Sequence, residues 1–260
     1  MLIYPNPTLF NISRLNIDFD DVFSNWLYYC DEIIISTFKK DVGEIEQEIS
    51  KSKFYDPHKI KIISKELDIE RDVFWEGKLK NEGLQFCKNE VVIQCDMDER
   101  ISGKPILFHY LCNHILSHGS PCSVMLPTID LYEDLDHYIN IGYKWYLHRK
   151  KGTYRGSVNW ARKDNGDLDP EKSDTCELID KDANLISCIG KVDLEDDGPK
   201  IIHLGYLDLE ERNNVNKFWG KIWNHRSEGE FDPSFLPEEV QSGDSRKQKH
   251  NLTKPLWPNL

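Results

Sequence analysis

Hydrophobic positions in the first hundred residues fall into alternating helical and strand-like blocks. Phe19, Val22, Phe23, Trp26, Leu27 and Cys30 recur at helical spacing and predict a helix over residues 18–30, with Asp18 as its N-cap. Ile33, Ile34 and Ile35 form a short, continuously apolar run, as in a fully buried strand. Val42, Ile45 and Ile49 mark a second amphipathic helix, and "KIKIIS" (Lys59 to Ser64) a second strand. A third helix is expected over Glu76 to Cys87, and a third strand over Val91 to Cys95. Helices and strands alternating through short connections predict an α/β protein with a mostly parallel sheet flanked by helices. Ligands of such open sheets bind beyond the carboxyl ends of the strands.

After Pro105 the texture changes. "ILFHYLCNHILSH" (Ile106 to His118) reads as one buried helix, and "CSVMLP", "GYKWYLHRK" and "TYRGSVNW" as strand-like pieces. Asn165 to Asp174 reads as an acidic surface loop and "PKIIHLGYL" as a further strand. Asp208 to Arg226 predicts a helix with Val215, Phe218, Trp219, Ile222 and Trp223 on one face, Asp208 at its cap and Glu211 three residues on. From Glu228 the chain is rich in Pro, Ser and charge, as in a wrapping or disordered tail. The expected organisation is one domain in two halves, 1–105 and 106–227, followed by a tail, 228–260.

Composition narrows the partners. The 260-residue chain is 39% hydrophobic and 11% aromatic, enough for a real core. Its net charge of −12 argues against a broad basic surface for nucleic acid. No run reaches the ~20 apolar residues of a membrane span, and "MLIYPNPTLF" lacks the features of a signal peptide. Seven cysteines without a CxxC pair read as reduced thiols, so the expected location is cytoplasmic, the host cytoplasm if the chain is viral. On that reading the sequon Asn251-Leu252-Thr253 carries no glycan.

The chemistry concentrates in "EVVIQCDMDERIS", Glu90 to Ser102, where a buried strand surfaces into Asp96, Asp98 and Glu99. Clustered carboxylates are costly unless positive charge lies near. Two aspartates one residue apart at a strand end can reach one divalent cation, and hard oxygen ligands suit Mn²⁺ or Mg²⁺. A D-x-D triplet alone is common in surface turns, and a capped turn is the alternative.

"CDEIIIS" (Cys30 to Ser36), "KIKIIS" and "NEGLQFCKNEVVIQCDMDERIS" (Asn81 to Ser102) together resemble the nucleotide-sugar half of GT-A glycosyltransferases, in particular the small soluble ones of bacteria, phages and large DNA viruses. The resemblance covers roughly residues 1–105, with a looser echo at "IIHLGYLDLEER" (Ile201 to Arg212). It implies a GT-A, Rossmann-like fold whose first half binds a sugar nucleotide, expected to be a UDP-sugar, and whose elaborated C-terminal half shapes the site of a glycan or glycoprotein acceptor. It further implies Mn²⁺ or Mg²⁺ held by Asp98 with help from Asp96, a third ligand from a late strand, for which His203 is the candidate, and a donor-side role for Asn81. Glu99 is expected to orient Arg100 or a sugar hydroxyl.

Other residues carry weaker expectations. Lys78 and Lys80 are placed to approach a phosphate. "WYLHRKKGTYR" (Trp145 to Arg155) is the one dense basic run, in which His148, Arg149 or Arg155 can meet diphosphate and Trp145, Tyr154 and Trp160 can stack on sugars; its alternative is a solvated hairpin. His114 and His118 have zinc-ligand spacing but no accompanying Glu, so zinc is not expected. A catalytic base for an inverting transferase is sought among Asp130, Glu177 and Asp208; Asp208 is better explained as a helix cap, and the sequence does not separate the other two. Two rival classes remain: a Mg²⁺-dependent haloacid-dehalogenase-type phosphatase with Asp96 as nucleophile, against which Arg100 replaces the expected Thr or Val, and a non-catalytic sugar-nucleotide-binding module.

Overall fold

The computed structural model describes residues 2–4, 18–67, 75–132, 134–156, 177–195, 197–206 and 248–249. Helix α1, Phe19–Tyr29, starts where expected: the Asp18 carboxylate accepts from the Asp20 and Asp21 N–H groups at 2.8 and 3.4 Å. It buries Phe19, Val22, Phe23 and Trp26. Strand β1 is Leu2–Tyr4, β2 is Ile33–Phe38, β3 is Ile60–Lys65 and β4 is Val91–Asp96. Helix α2, Val42–Ile49, buries Ile45 and Ile49, and α3, Trp75–Phe86, buries Leu79 and Leu84.

These elements make a parallel sheet in the order β3-β2-β1-β4. The central place of β1 was not expected. Leu2 pairs with both Ile34 and Gln94, so the strand completes the sheet between two neighbours distant in sequence.

The second part is built differently. It comprises β5 (Glu99–Ser102), α4 (Pro105–Ser117), β6 (Cys122–Tyr132), β7 (Asp134–Arg149), β8 (Tyr154–Gly156), β9 (Glu177–Ile179), β10 (Ser187–Lys191), β11 (Lys200–Tyr206) and β12 (Gln248–Lys249). The main sheet continues from β4 through β7-β6-β11-β5, with β10 on β6 and β12 on β7, while β8 and β9 pair separately. Strand β7 runs antiparallel to β4 and β6, and β5 antiparallel to β11. The sheet is therefore mixed, correcting the mostly parallel expectation. The cause is the connection: only residue 133 separates β6 from β7, and a parallel return needs a crossover of a dozen or more residues.

Helix α4 forms as expected but is not buried. Phe108 and Ile115 are buried, Leu111 and Cys112 pack partly against the same core, and Ile106, Tyr110 and Leu116 are exposed. Its residues are apolar on both sides, so the sequence hid which stripe packs. Helices α1 and α4 cover one sheet face, where Trp26, Ile35, Ile93, Leu126 and Ile201 share a core. Helix α3 covers the other, with Leu84 and Cys87 against Ile34 and Val92. Among the described residues no helix is long and apolar enough to cross a membrane. The expected loop at Asn165–Asp174, the helix at Asp208–Arg226 and most of the tail lie outside the described residues.

Candidate functional site

Strand β4 delivers Asp96 at its carboxyl end, Met97 and Asp98 make the turn, and β5 starts at Glu99. Sheet register then assembles the site. His203 on β11 pairs with Glu99 on β5 and with Asp130 on β6, so the three stand in one row across three strands. The Leu204 N–H donates to the Asp98 carbonyl at 2.8 Å and ties the turn to β11.

The His203 ring is held from both sides. Its Nδ1–H donates to Asp130 Oδ1 at 2.8 Å, and Nε2 stands 3.1 Å from Asp98 Oδ2. Burial alone would lower the imidazole pKa, but Asp98 and Asp130 raise it to about 10. Both carboxylates favour the protonated ring.

Glu99 braces the turn. It is 1% exposed, and its Oε2 accepts the Asp96 N–H at 2.8 Å, closing the acidic turn from beneath. Its Oε1 accepts from Lys144 Nζ at 3.3 Å. Arg100, the next residue along the strand, points to α1: Nε donates to Asp21 Oδ2 at 2.7 Å and Nη1 to the Met97 and Glu99 carbonyls. Asp21 and two backbone carbonyls thus orient Arg100.

Helix α1 fixes β5 from the side. Asn25 donates through Nδ2 to the Ile101 carbonyl at 2.8 Å and accepts the Ile101 N–H at 2.9 Å, both buried. Trp26 Nε1 donates to the Glu99 carbonyl at 3.2 Å.

Two lysines offset this negative charge. Burial works against the Lys144 ammonium, but Glu99, Asp96 and Asp130 outweigh it and hold its pKa above that of an ordinary lysine. The Lys144 side chain is 56% exposed overall, while its ammonium turns in to Glu99. Lys80 is buried and lies 3.1 Å from Glu76 Oε1. Burial lowers its pKa to about 7, against an opposing pull from Asp96.

Asp96, Asp98, Asp130, His203 and Lys80 thus gather near one end of β4. Other expected residues stand elsewhere. The Asn81 side chain brackets the Arg155 backbone, donating to its carbonyl at 2.9 Å and accepting its N–H at 2.7 Å. Arg149 pairs in register with Val91, at the amino end of β4, and its Nη2 is 3.3 Å from Glu90. Glu177 pairs with Gly156 in the small β8–β9 sheet. His114 and His118 are exposed, Lys78 is buried, and Asp208 lies outside the described residues.

Sequence reasoning missed Lys144. Leu147 of β7 pairs with Val124 and Lys144 with Leu126, so three steps on β7 oppose two on β6. This bulge breaks the alternation, and Lys144 reaches Glu99 from the face that Leu147 shares. A strict two-residue period places it on the other face.

The row suits a divalent cation in one respect and limits it in another. Asp98 Oδ2 and His203 Nε2, 3.1 Å apart, are spaced like adjacent donors around an octahedral ion at roughly 2.1 Å. A carboxylate on the far nitrogen is the arrangement that fixes a metal-binding imidazole. Among the described residues no group of three or more His, Cys, Asp or Glu side chains is arranged around an ion. A cation here would rely on water or ligand phosphates for the rest of its shell, as Mg²⁺ commonly does.

The chain matches no protein-family model and no curated protein sequence. Among solved structures, a crystal structure of S. aureus TarS, residues 1–349, is similar over 85% of this chain, with a TM-score of 0.35 and 13% identity. The chain spans 64% of that structure's length. A likeness at that level bears on neither substrate nor residue roles.

Proposed function

We propose that the chain is a metal-dependent glycosyltransferase that moves a sugar from a nucleotide donor, first a UDP-sugar, to a hydroxyl of a glycan or glycoprotein. The observation that carries this reading is His203, fixed at Nδ1 by Asp130 and presented at Nε2 beside Asp98, at the carboxyl end of β4. The sequence resemblance through Asp96, Asp98 and Glu99 supports it.

On this reading Asp98 and His203 hold Mn²⁺ or Mg²⁺, with Asp96 beside them. When bound, the cation would neutralise the charge that builds on the departing nucleoside diphosphate. Glu99 keeps the Asp96–Asp98 turn in shape, and Asp130 orients the His203 ring rather than acting as base. Lys144, held beside the acids by Glu99, offers its ammonium to the diphosphate, and buried Lys80 stands within electrostatic reach of Asp96. Residues 1–105 form the donor half and residues 106–227 the acceptor half. A phosphatase is disfavoured because Arg100 stands where its motif wants Thr or Val, and about 95 residues precede Asp96 where that motif normally opens its domain.

The test is release of nucleoside diphosphate from a panel of sugar nucleotides with Mn²⁺. One donor class should turn over, and His203→Asn should reduce the rate by about a hundredfold. Hydrolysis of phosphomonoesters with no sugar-nucleotide turnover would replace this reading with the phosphatase.

A further inference from the structure

The basic run Trp145 to Arg155 does not join the acidic row. Beyond Lys144 it travels down β7 to the amino end of β4, where the Lys150 N–H donates to the Glu90 carbonyl at 2.7 Å. There a cleft of about 370 Å³ opens between the second half of α3, the α3–β4 connection and the β7–β8 turn. None of Asp96, Asp98, Glu99, Asp130, Lys144 and His203 lines it.

Its walls are fixed. Gly152 has φ +75°, and a Cβ there would stand 3.0 Å from the Pro121 ring. The Lys150 ammonium donates to the Gln85 and Cys87 carbonyls, pinning the turn to the end of α3. The bracket of Asn81 on Arg155 holds the start of β8 against the same helix. Small-molecule sites are typically preformed in this way, and the volume falls at the lower end of their range.

The lining has a definite chemistry. Lys88 and Lys151 are exposed at its rim, in a chain of net charge −12. The acid of the lining, Glu90, is paired with Arg149. Thr153 is 2% exposed and its hydroxyl has no hydrogen-bond partner among the described residues, an expensive arrangement unless something else completes it. Gln85 and Asn89 add amides, and Tyr154, 38% exposed, adds an aromatic ring. Ammonium groups, a buried hydroxyl, amides and an aromatic ring together match an anion attached to a small polyol.

We propose that this cleft is a second binding site, distinct from the acidic row, for a phosphorylated monosaccharide. Lys88 and Lys151 meet the phosphate, Thr153 and the amides meet ring hydroxyls, and Tyr154 lies along the sugar face.

The test is calorimetric titration of the full chain with glucose 6-phosphate, glucose and inorganic phosphate. Glucose 6-phosphate should saturate with a dissociation constant of about 1 mM or tighter. Each of its two halves, glucose and phosphate, should bind about tenfold more weakly. The double variant Lys88→Ala/Lys151→Ala changes exposed side chains and should keep the unfolding temperature while weakening binding about tenfold. Thr153→Val should weaken it further, and Asp98→Asn should leave it unchanged. The proposal is overturned if glucose 6-phosphate does not saturate, if inorganic phosphate binds as tightly, if the double lysine variant binds like the parent, or if Asp98→Asn abolishes binding.

Discussion

A histidine with a carboxylate on each nitrogen has one orientation and little freedom to leave it. That is the property of His203, and it follows from sheet register, since Asp130 is its direct partner on β6. If Asp130 orients the ring, Asp130→Asn should weaken Mn²⁺ binding by about 10- to 100-fold. Asp98→Asn should reduce it more. Electron paramagnetic resonance of free Mn²⁺ in a titration reads both, without any turnover. Equal affinity in Asp130→Asn would remove Asp130 from the account.

His148 makes a separate prediction at the same scale. It is fully buried, its Nδ1–H donates to the Arg149 carbonyl at 3.1 Å, and burial, reinforced by the Arg155 charge, lowers its pKa to about 3. The unfolded chain takes up this proton near pH 6.5. Stability is therefore full above that pH and is lost progressively as pH falls from 6.5 towards 3. At pH 5 the loss from this group is about 2 kcal/mol. Urea unfolding at pH 7 and pH 5 measures it, and a His148→Gln variant should lose less between the two.

Among the elements, β5 depends most on its neighbours. It is four residues long, fully buried, and held by polar side chains of α1 rather than by apolar packing alone. Asn25→Ala removes both bonds to Ile101 and strands buried backbone groups, so it should cost about 2–4 kcal/mol. Gly103, where β5 leaves for α4, has φ +114°, and a Cβ would sit 2.4 Å from the Gly198 carbonyl oxygen. Gly103→Ala should cost about 3 kcal/mol or more. Chemical denaturation checks both, and a loss under 1 kcal/mol in Gly103→Ala would contradict the close approach.

These elements also show what the sequence could and could not convey. Helices α1 to α3 and strands β2 to β4 were legible because each carries its own apolar period or run. Strand β1 is too short to show a period, and it earns its place only through partners at Ile34 and Gln94. Strand β5 reads "ERIS", polar by composition, because its partners are the polar groups of α1 and β11. Asp96 and Asp98 were legible as acids at a strand end, and His203 as a histidine within a late strand. Lys144 was not, because the β7 bulge changes the face it reaches from. Arg149 was attractive as charge, but register with Val91 puts it roughly 17 Å along β4 from Asp96, at about 3.3 Å per residue.

At the scale of the molecule, the proposed function asks an acidic chain of net charge −12 to receive an anionic donor. The bulk field opposes that encounter, and on the proposed reading local charge reverses it: a cation held by Asp98 and His203, and the ammonium of Lys144. The most direct test is therefore thermal unfolding against UDP-, GDP- and other sugar nucleotides, with and without Mn²⁺. At a hundred times its dissociation constant a ligand adds about 2.7 kcal/mol, which is a shift of roughly 5–10 °C for a chain of this size. The account predicts such a shift for one nucleotide class, present only with Mn²⁺ and absent in Asp98→Ala. No shift with any nucleotide, or a shift that neither Mn²⁺ nor Asp98→Ala alters, would contradict it.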